Sequence, residues 1–372
     1  MLERPDAMNL ALAAFNRSLA LDSSFFPSAA HLQTIYYVLG DTAGVRRATA
    51  FLVARDSSSE RVEAARWFQE ILDGAPTSEL RPSSYGWIRL HAMTDGIGIP
   101  DYERRVDSAG RGPLPLGARR WITGAQRQLF LNGGRPREAL EADAFLRQDP
   151  SQLDSRMLHA MFWDGDSIAA VQSAREIESR LDRWRTVEPQ RVVHEASSLA
   201  LWAAARGERD RMTRALVPIQ HLAGLPDTVR QAAGARLIVQ TIEAMAAHRF
   251  GQSDSSEQLA RLDSMVRTVP AEPFPVTIAN MVASRLWDQR GDHARALAAS
   301  RRRISHIDTP PFLSTMLREE GRLAELTGDR EGAIRAYTHY LALRRNPGPE
   351  WQSHTQQIAQ RLERLKAASA GR

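Results

Sequence analysis

The sequence contains no cysteine and almost no lysine. The first absence excludes disulfide bonds, thiolate metal sites and cysteine nucleophiles. Lys366 is the only lysine among 49 basic residues, and it lies outside any glycine-rich run. Because phosphate-binding loops and kinase sites require a lysine in a defined position, both of these nucleotide-dependent site types are excluded as well.

Long apolar runs are also missing. The longest uncharged stretch, residues 23–40, includes Pro27, His31 and Gln33, so it is not a membrane span. The N-terminal residues include acidic side chains and no long apolar run, which makes them a poor signal peptide. We therefore expect a cytoplasmic protein with no membrane span. An extracytoplasmic location is the alternative if the chain belongs to a longer membrane-anchored protein.

Aromatic residues are scarce, at 7% of the chain, and runs of valine, isoleucine and threonine with period two are almost absent. Alanine and leucine dominate instead, and these residues favour helices over strands. The hydrophobic content of 43% is ample for a buried core. The composition therefore predicts an all-α protein.

The charge balance has two interpretations. A net charge of +5 and a pI near 10 are typical of proteins that bind nucleic acid. However, the 44 acidic residues are interleaved with the arginines, and an excess of arginine over lysine is also typical of a G+C-rich genome. We favour a mixed, solvated surface, with an anion-binding face as the alternative.

The helical pattern is clearest in residues 311–343. Leu313, Leu317 and Ala324 mark one apolar face of a first helix, and Ala333 with Tyr337 marks one face of a second. Glycine and aspartate separate the two runs, where a helix has to stop and a new one has to start. The segment therefore predicts a tight helical hairpin.

Variants of this hairpin recur along the chain. From Gly134 onward the predicted turns follow one another at intervals of 31 to 44 residues, which are typical of a divergent repeat array. A proline- and glycine-rich stretch ends near Gly117, and we place a boundary there, between domains 1–117 and 118–372. A capping helix is predicted over residues 350–368. The first helix, near residues 10–22, has no preceding partner helix, so we expect a missing N-terminal domain or another surface that covers it.

At these turns the chain resembles the tetratricopeptide repeat, a hairpin of about 34 residues with a small residue and an aromatic residue four positions apart in its second helix. The resemblance is strongest at the two ends of the chain. Small residues replace the aromatic positions in the middle. The residues that carry it are Ala11, Phe15, Leu32, Tyr36, Gly40, Gly165, Gly207, Gly291, Ala296, Gly321, Gly328, Ala333 and Tyr337.

This resemblance implies an α-solenoid, that is, a right-handed superhelix of antiparallel hairpins whose concave face binds peptides or partner proteins. It also extends to the C-terminal repeat regions of multidomain bacterial signalling proteins. The expected function is therefore a non-enzymatic scaffold for a protein or peptide partner, with a regulatory or sensory segment of a larger protein as its setting. The alternative is a segment of a nucleic-acid-associated transcriptional regulator.

No pattern of residues predicts chemistry, so we expect no catalytic residue, no cofactor and no metal. His194 and Glu195 resemble the start of a zinc-binding helix, but Ser198 stands where the second histidine would be. Five arginines are candidates for contacts with an anionic partner, although consecutive residues spread around a helix rather than along one face. They are Arg301, Arg302, Arg303, Arg344 and Arg345.

Overall fold

A computed structural model gives the structure of the chain. It describes residues 5–38, 41–55, 99–110, 116–146, 167–181, 189–226, 228–229, 231–268, 273–302 and 312–370, together with positions 62, 65–66, 69, 73, 157–158 and 161–162. Every regular element in these ranges is an α-helix, and they contain no strand. The all-α prediction is therefore confirmed.

The chain divides into two compact units. Unit 1 comprises residues 1–126 and 304–310, and unit 2 comprises residues 127–303 and 311–372. The division falls after Gln126, inside a helix, whereas the sequence places a boundary at Gly117.

Unit 1 begins with three consecutive helices. The first helix packs on the second, and the second packs on the third. A small core beneath them includes Ala29, Leu52 and Val62. The buried Gln33 Nε2 donates to Thr49 Oγ1 at 2.6 Å, which pairs a polar group that would otherwise destabilise this core. The helices are α1 (Pro5–Leu21), α2 (Phe26–Val38), α3 (Thr42–Arg55) and α4 (Ile99–Gly110), followed by α5 (Leu116–Gly133), which ends in unit 2.

Unit 2 is built from helical hairpins. From α8 onward each helix packs on the next, and α8, α10 and α12 also contact one another in series. The helices are α6 (Pro136–Leu146), α7 (Ser167–Leu181), α8 (Pro189–Arg206), α9 (Arg209–Ala223), α10 (Ala232–Arg249), α11 (Ser255–Thr268), α12 (Pro273–Gln289), α13 (His293–Arg301), α14 (Leu313–Leu326), α15 (Arg330–Leu343) and α16 (Pro349–Ala370).

The hairpin turns share one local geometry. At the α14–α15 turn, Gly328 has a φ of +78°, which side chains with a Cβ disfavour. Asp329 then caps α15, because its Oδ1 accepts the Gly332 N–H at 3.0 Å. Asp292 caps α13 in the same way. Positive φ values recur at the other described hairpin turns, and the turns predicted at these positions are confirmed: Gly134, Gly207, Gly251 and Gly291.

The two helices of a hairpin differ in burial. Helix α10 is buried along nearly all of its sides, from Ala232 to Ala247, whereas α11 buries only Leu259, Leu262 and Val266. Helices such as α10 and α12 therefore form an inner layer, and helices such as α11 form an outer layer with one solvated face. One continuous apolar core connects the hairpins of unit 2.

The first and last hairpins of unit 2 touch each other. Asn132 Oδ1, at the end of α5, accepts the Ser314 N–H of α14 at 3.0 Å. The Gly348 N–H donates to Gly134 O at 2.8 Å. A Cβ on Gly134 would overlap the guanidinium of Arg344. These contacts join residues 182 or more positions apart, so the hairpin series closes within unit 2.

Candidate functional site

The repeat-signature residues of the last hairpin lie together. Ala333 is fully buried, and the ring of Tyr337 packs so closely on Gly321 that a Cβ there would overlap it. The Tyr337 hydroxyl donates to Glu325. Burial of the hydroxyl and, to a smaller extent, this bond to a carboxylate raise the pKa of Tyr337. Gly321 and Tyr337 therefore act as a pair that sets the distance between α14 and α15.

The signature residues of unit 1 form a similar contact. Phe15 stacks on His31 at 4.9 Å between ring centroids, and Leu32 is buried. A Cβ on Gly44 of α3 would overlap the ring of Tyr36. Sequence reasoning missed Gly44, because its contact with Tyr36 depends on how α2 and α3 pack.

The other signature residues are simpler to place. Ala296 is fully buried in α13, and Ala11 is half-buried in α1. Gly207 and Gly291 are turn residues with positive φ. Gly40 and Gly165 lie outside the described residues.

Arg301 and Arg302 point in opposite directions from α13. Arg301 forms ion pairs with Glu320 at 3.2 Å and with Asp329, so it faces α14 and α15. Arg302 pairs with Asp263 of α11 and donates to Asn280 Oδ1 of α12 at 2.8 Å. The structure therefore does not bring these two arginines onto one face. Arg303 lies outside the described residues.

Arg344 is an interior side chain. It is 3% exposed, and its guanidinium lies over the rings of Tyr340 and Trp351, 5.4 and 4.4 Å from their centroids. Burial lowers its pKa to about 10. Arg345, the next residue, is exposed. Thus the two arginines at the end of α15 have different environments and do not form a common surface.

A second set of charged residues lies between the inner helices α12 and α14. We call it the inner polar cluster, and it consists of Arg285, Asp288, Arg318, Glu319 and Arg322. Arg322 Nε is 2.9 Å from Glu319 Oε2, and its Nη2 is 2.5 Å from Asp288 Oδ2. Arg318 Nη2 is 2.9 Å from the other oxygen of Glu319.

Helix geometry explains why these residues meet. Arg285 and Asp288 are three positions apart on α12, and Arg318 and Arg322 are four apart on α14, so each pair occupies one helix face. All of the cluster except Arg318 lines a cavity of about 30 Å³, which is enough for about two waters. Sequence reasoning missed the cluster, because its residues come from the first helices of two consecutive hairpins.

Arg285 donates hydrogen bonds to main-chain carbonyl groups near residue 162. Its Nη1 donates to Met161 O at 2.7 Å, and its guanidinium lies over the ring of Phe162, 4.6 Å from the centroid. Phe162 in turn packs edge-on against Phe312 at 5.4 Å. These contacts bring the chain near residue 162 to the inner helices.

The electrostatics of the cluster are governed by Glu319. Burial acts to raise the pKa of this carboxyl group, but Arg318, Arg322 and Arg285 together lower it. Glu319 is therefore ionised. The cluster contains three guanidinium groups and two carboxylates, so it carries one excess positive charge.

The described residues show no group of three or more histidine, aspartate or glutamate side chains that could hold a metal ion. His194 stacks on Phe274 with 4.2 Å between ring centroids. None of the helices described is both long and apolar enough to cross a membrane.

Comparison with known proteins finds no matching family model, no matching curated protein and no matching solved structure.

Proposed function

We propose that this protein is a non-enzymatic scaffold of tetratricopeptide-like helical hairpins that binds another protein. The observation that carries the proposal is the series of contacts from hairpin to hairpin, in which α8, α10 and α12 pack on one another while α9 and α11 remain outside. In repeat arrays each unit contacts its neighbours, and the assembled surface serves for binding. The contact between the first and last hairpins of unit 2 is additional to this neighbour packing. The right-handed superhelix implied by the resemblance is part of this proposal.

The binding surface proposed is the end of unit 2 where the inner helices finish. Helices α12 and α14 are both first helices of hairpins, so they run in the same direction and their C-termini lie at the same end. Asp288, Gln289 and Arg322 are located there, and all three are accessible to solvent. The charges of the inner polar cluster are suited to a partner with complementary charged side chains.

A site-specific crosslinking experiment tests this proposal. A photo-crosslinking amino acid is placed at Gln289, next to the inner polar cluster, or at Arg335, a 70% exposed residue of the outer helix α15. In cells of the native host we expect one crosslinked protein at position 289 and none at position 335. Arg322→Glu should abolish the crosslink at position 289, whereas the control substitution Arg335→Glu should leave it intact. An identical pattern at both positions would contradict the proposal.

We also propose that the scaffold is a regulatory segment of a larger signalling protein. This proposal has its basis in the resemblance of the hairpins to the repeat regions of such proteins. Mass spectrometry of the native protein tests it directly. We expect an intact mass well above 41.5 kDa and peptides that map upstream of Met1. An intact mass of 41.5 kDa would contradict the proposal.

The nucleic-acid alternative has less support. Arg301 and Arg302 are engaged by carboxylates within unit 2, and Arg344 is buried. Phosphate contacts that dominate nucleic-acid affinity need exposed cations along one surface.

A further inference from the structure

A cleft near the C-terminal helix of unit 2 has an excess of positive charge that is not paired within the hairpins. It lies between the α14–α15 turn and the capping helix α16, and its volume is about 390 Å³. We call it the α16 cleft. Its lining includes Glu325, Arg330, Arg361, Arg364, Leu365 and Ala368. The volume falls within the range of small-molecule sites in proteins.

The spacing of residues on α16 creates one wall of the cleft. One face of α16 contains Arg361 and the residues three, four and seven positions after it, which are Arg364, Leu365 and Ala368. Arg330, the first residue of α15, forms the opposite wall. A Cβ on Gly328, at the turn, would meet only open space, so the cleft is accessible at this point.

The three arginines have different partners. Arg330 Nε donates to Leu365 O at 2.9 Å, and this neutral carbonyl leaves the positive charge of Arg330 uncompensated. Arg361 Nη1 is 3.4 Å from Glu325 Oε1, which compensates one charge. Within the residues that the structure describes, the guanidinium of Arg364 has no hydrogen bond and no ion pair.

These contacts determine the charge of the cleft. Three guanidinium groups and one carboxylate leave two positive charges at a site of about 390 Å³. A phosphate monoester carries about −1.5 to −2 charges at pH 7, whereas a carboxylate carries one. Arginine also matches the oxygen atoms of phosphate with paired N–H donors. The charge therefore matches a phosphate monoester better than a single carboxylate.

We propose that the α16 cleft binds the phosphate group of a small phosphorylated molecule. Arg364 supplies the free guanidinium, and Arg330 and Arg361 complete the positive lining. The apolar side chains of Leu365 and Ala368 contact the uncharged part of the ligand. The proposal is independent of the partner-binding surface at the inner polar cluster.

Isothermal titration calorimetry on the full chain tests the proposal, with inorganic phosphate, phenyl phosphate and benzoate as probes. We expect saturable binding of both phosphates at pH 7.5 and at least about tenfold weaker binding of benzoate. Lowering the pH to 5, below the second pKa of phosphate near 6, should also weaken binding. No saturable heat with either phosphate would overturn the proposal.

Two variants assign the binding to the cleft. Arg364→Gln removes the free guanidinium and should weaken phosphate binding about tenfold. Arg335→Gln is the matched control, because Arg335 is an exposed arginine of α15 outside the cleft. Equal affinities in the two variants would overturn the assignment. A phosphoserine peptide that binds more tightly than phenyl phosphate would overturn the small-molecule assignment and indicate a phosphorylated protein instead.

Discussion

The inner polar cluster and the α16 cleft both contain three arginines, but they use them differently. In the cluster, Arg322 contacts two carboxylates, and Arg318 contacts one. In the cleft, Arg364 contacts none among the described residues, and Arg330 contacts a carbonyl. In the cluster, arginines paired with carboxylates hold α12 and α14 together, and the one excess positive charge is exposed to the proposed protein partner. In the cleft, Arg330 and Arg364 have no carboxylate partner among the described residues and are available for a small ligand. This distinction predicts which substitutions affect stability and which affect binding.

The largest effect on stability is expected at Arg344, the most buried arginine among the described residues. Arg344→Ala should lower the free energy of unfolding by about 2–4 kcal/mol, because it removes a packed side chain and two contacts with aromatic rings. Urea denaturation followed by tryptophan fluorescence measures this loss. Arg345→Ala, at the exposed neighbouring position, is the control and should change stability by less than about 0.5 kcal/mol. Equal effects would contradict the account.

The next largest effect on stability is expected where a glycine allows two helices to pack closely. Gly321→Ala should destabilise the protein by about 1–3 kcal/mol, because the new Cβ overlaps the Tyr337 ring. Gly124→Ala is the matched control, since a Cβ at this helical position meets nothing within 4 Å. It should stabilise the protein by about 0.5–1 kcal/mol through helix propensity. Thermal unfolding of both variants should therefore shift in opposite directions, and shifts of the same sign would count against the Gly321–Tyr337 contact.

The inner polar cluster should make stability depend on pH. Because the pKa of Glu319 in the folded state lies below its ordinary value of 4.5, its ionised form stabilises the folded state. This contribution is present above about pH 4.5 and is lost as the pH falls through the folded-state pKa. Glu319→Gln should be less stable than the unsubstituted protein at pH 7, and the difference should shrink toward pH 3. A difference that is constant from pH 7 to pH 3 would show that Glu319 has no lowered pKa.

The smallest effect on stability is expected in the α16 cleft. Arg364→Gln should leave the free energy of unfolding within about 0.5 kcal/mol of the original value, because the side chain has no partner among the described residues. Its effect should appear in phosphate affinity instead. Denaturation in the absence of phosphate measures the first quantity. A large loss of stability would mean that Arg364 has a structural role.

Local features of the fold could be predicted from the sequence. Gly328 and Asp329 specify their turn through residue type alone, because positive φ and helix capping are local requirements. The capping helix is predicted over residues 350–368 and is observed at Pro349–Ala370. Hydrophobic periodicity alone is sufficient to predict a helix of this length.

Contacts between distant helices could not be predicted in the same way. The pairing of Asn132 with Ser314 depends on how the hairpins stack, and no local pattern encodes it. The environments of Arg301 and Arg302 could not be predicted either, because adjacent positions on a helix face different neighbouring helices. The inner polar cluster and the α16 cleft therefore required the tertiary structure.

The most direct test of the distinction between a structural arginine and a ligand-binding arginine is urea denaturation of the unsubstituted protein, Arg344→Ala and Arg364→Gln, each with and without phosphate. Urea is uncharged, so it does not screen the sites. We expect phosphate to raise the midpoint of the unsubstituted protein and of Arg344→Ala, which starts from a lower midpoint. Arg364→Gln should begin at the original midpoint and show little increase. Two results would contradict the account. Phosphate could raise the urea midpoint of Arg364→Gln as much as that of the unsubstituted protein, or Arg344→Ala could have the same midpoint as the unsubstituted protein.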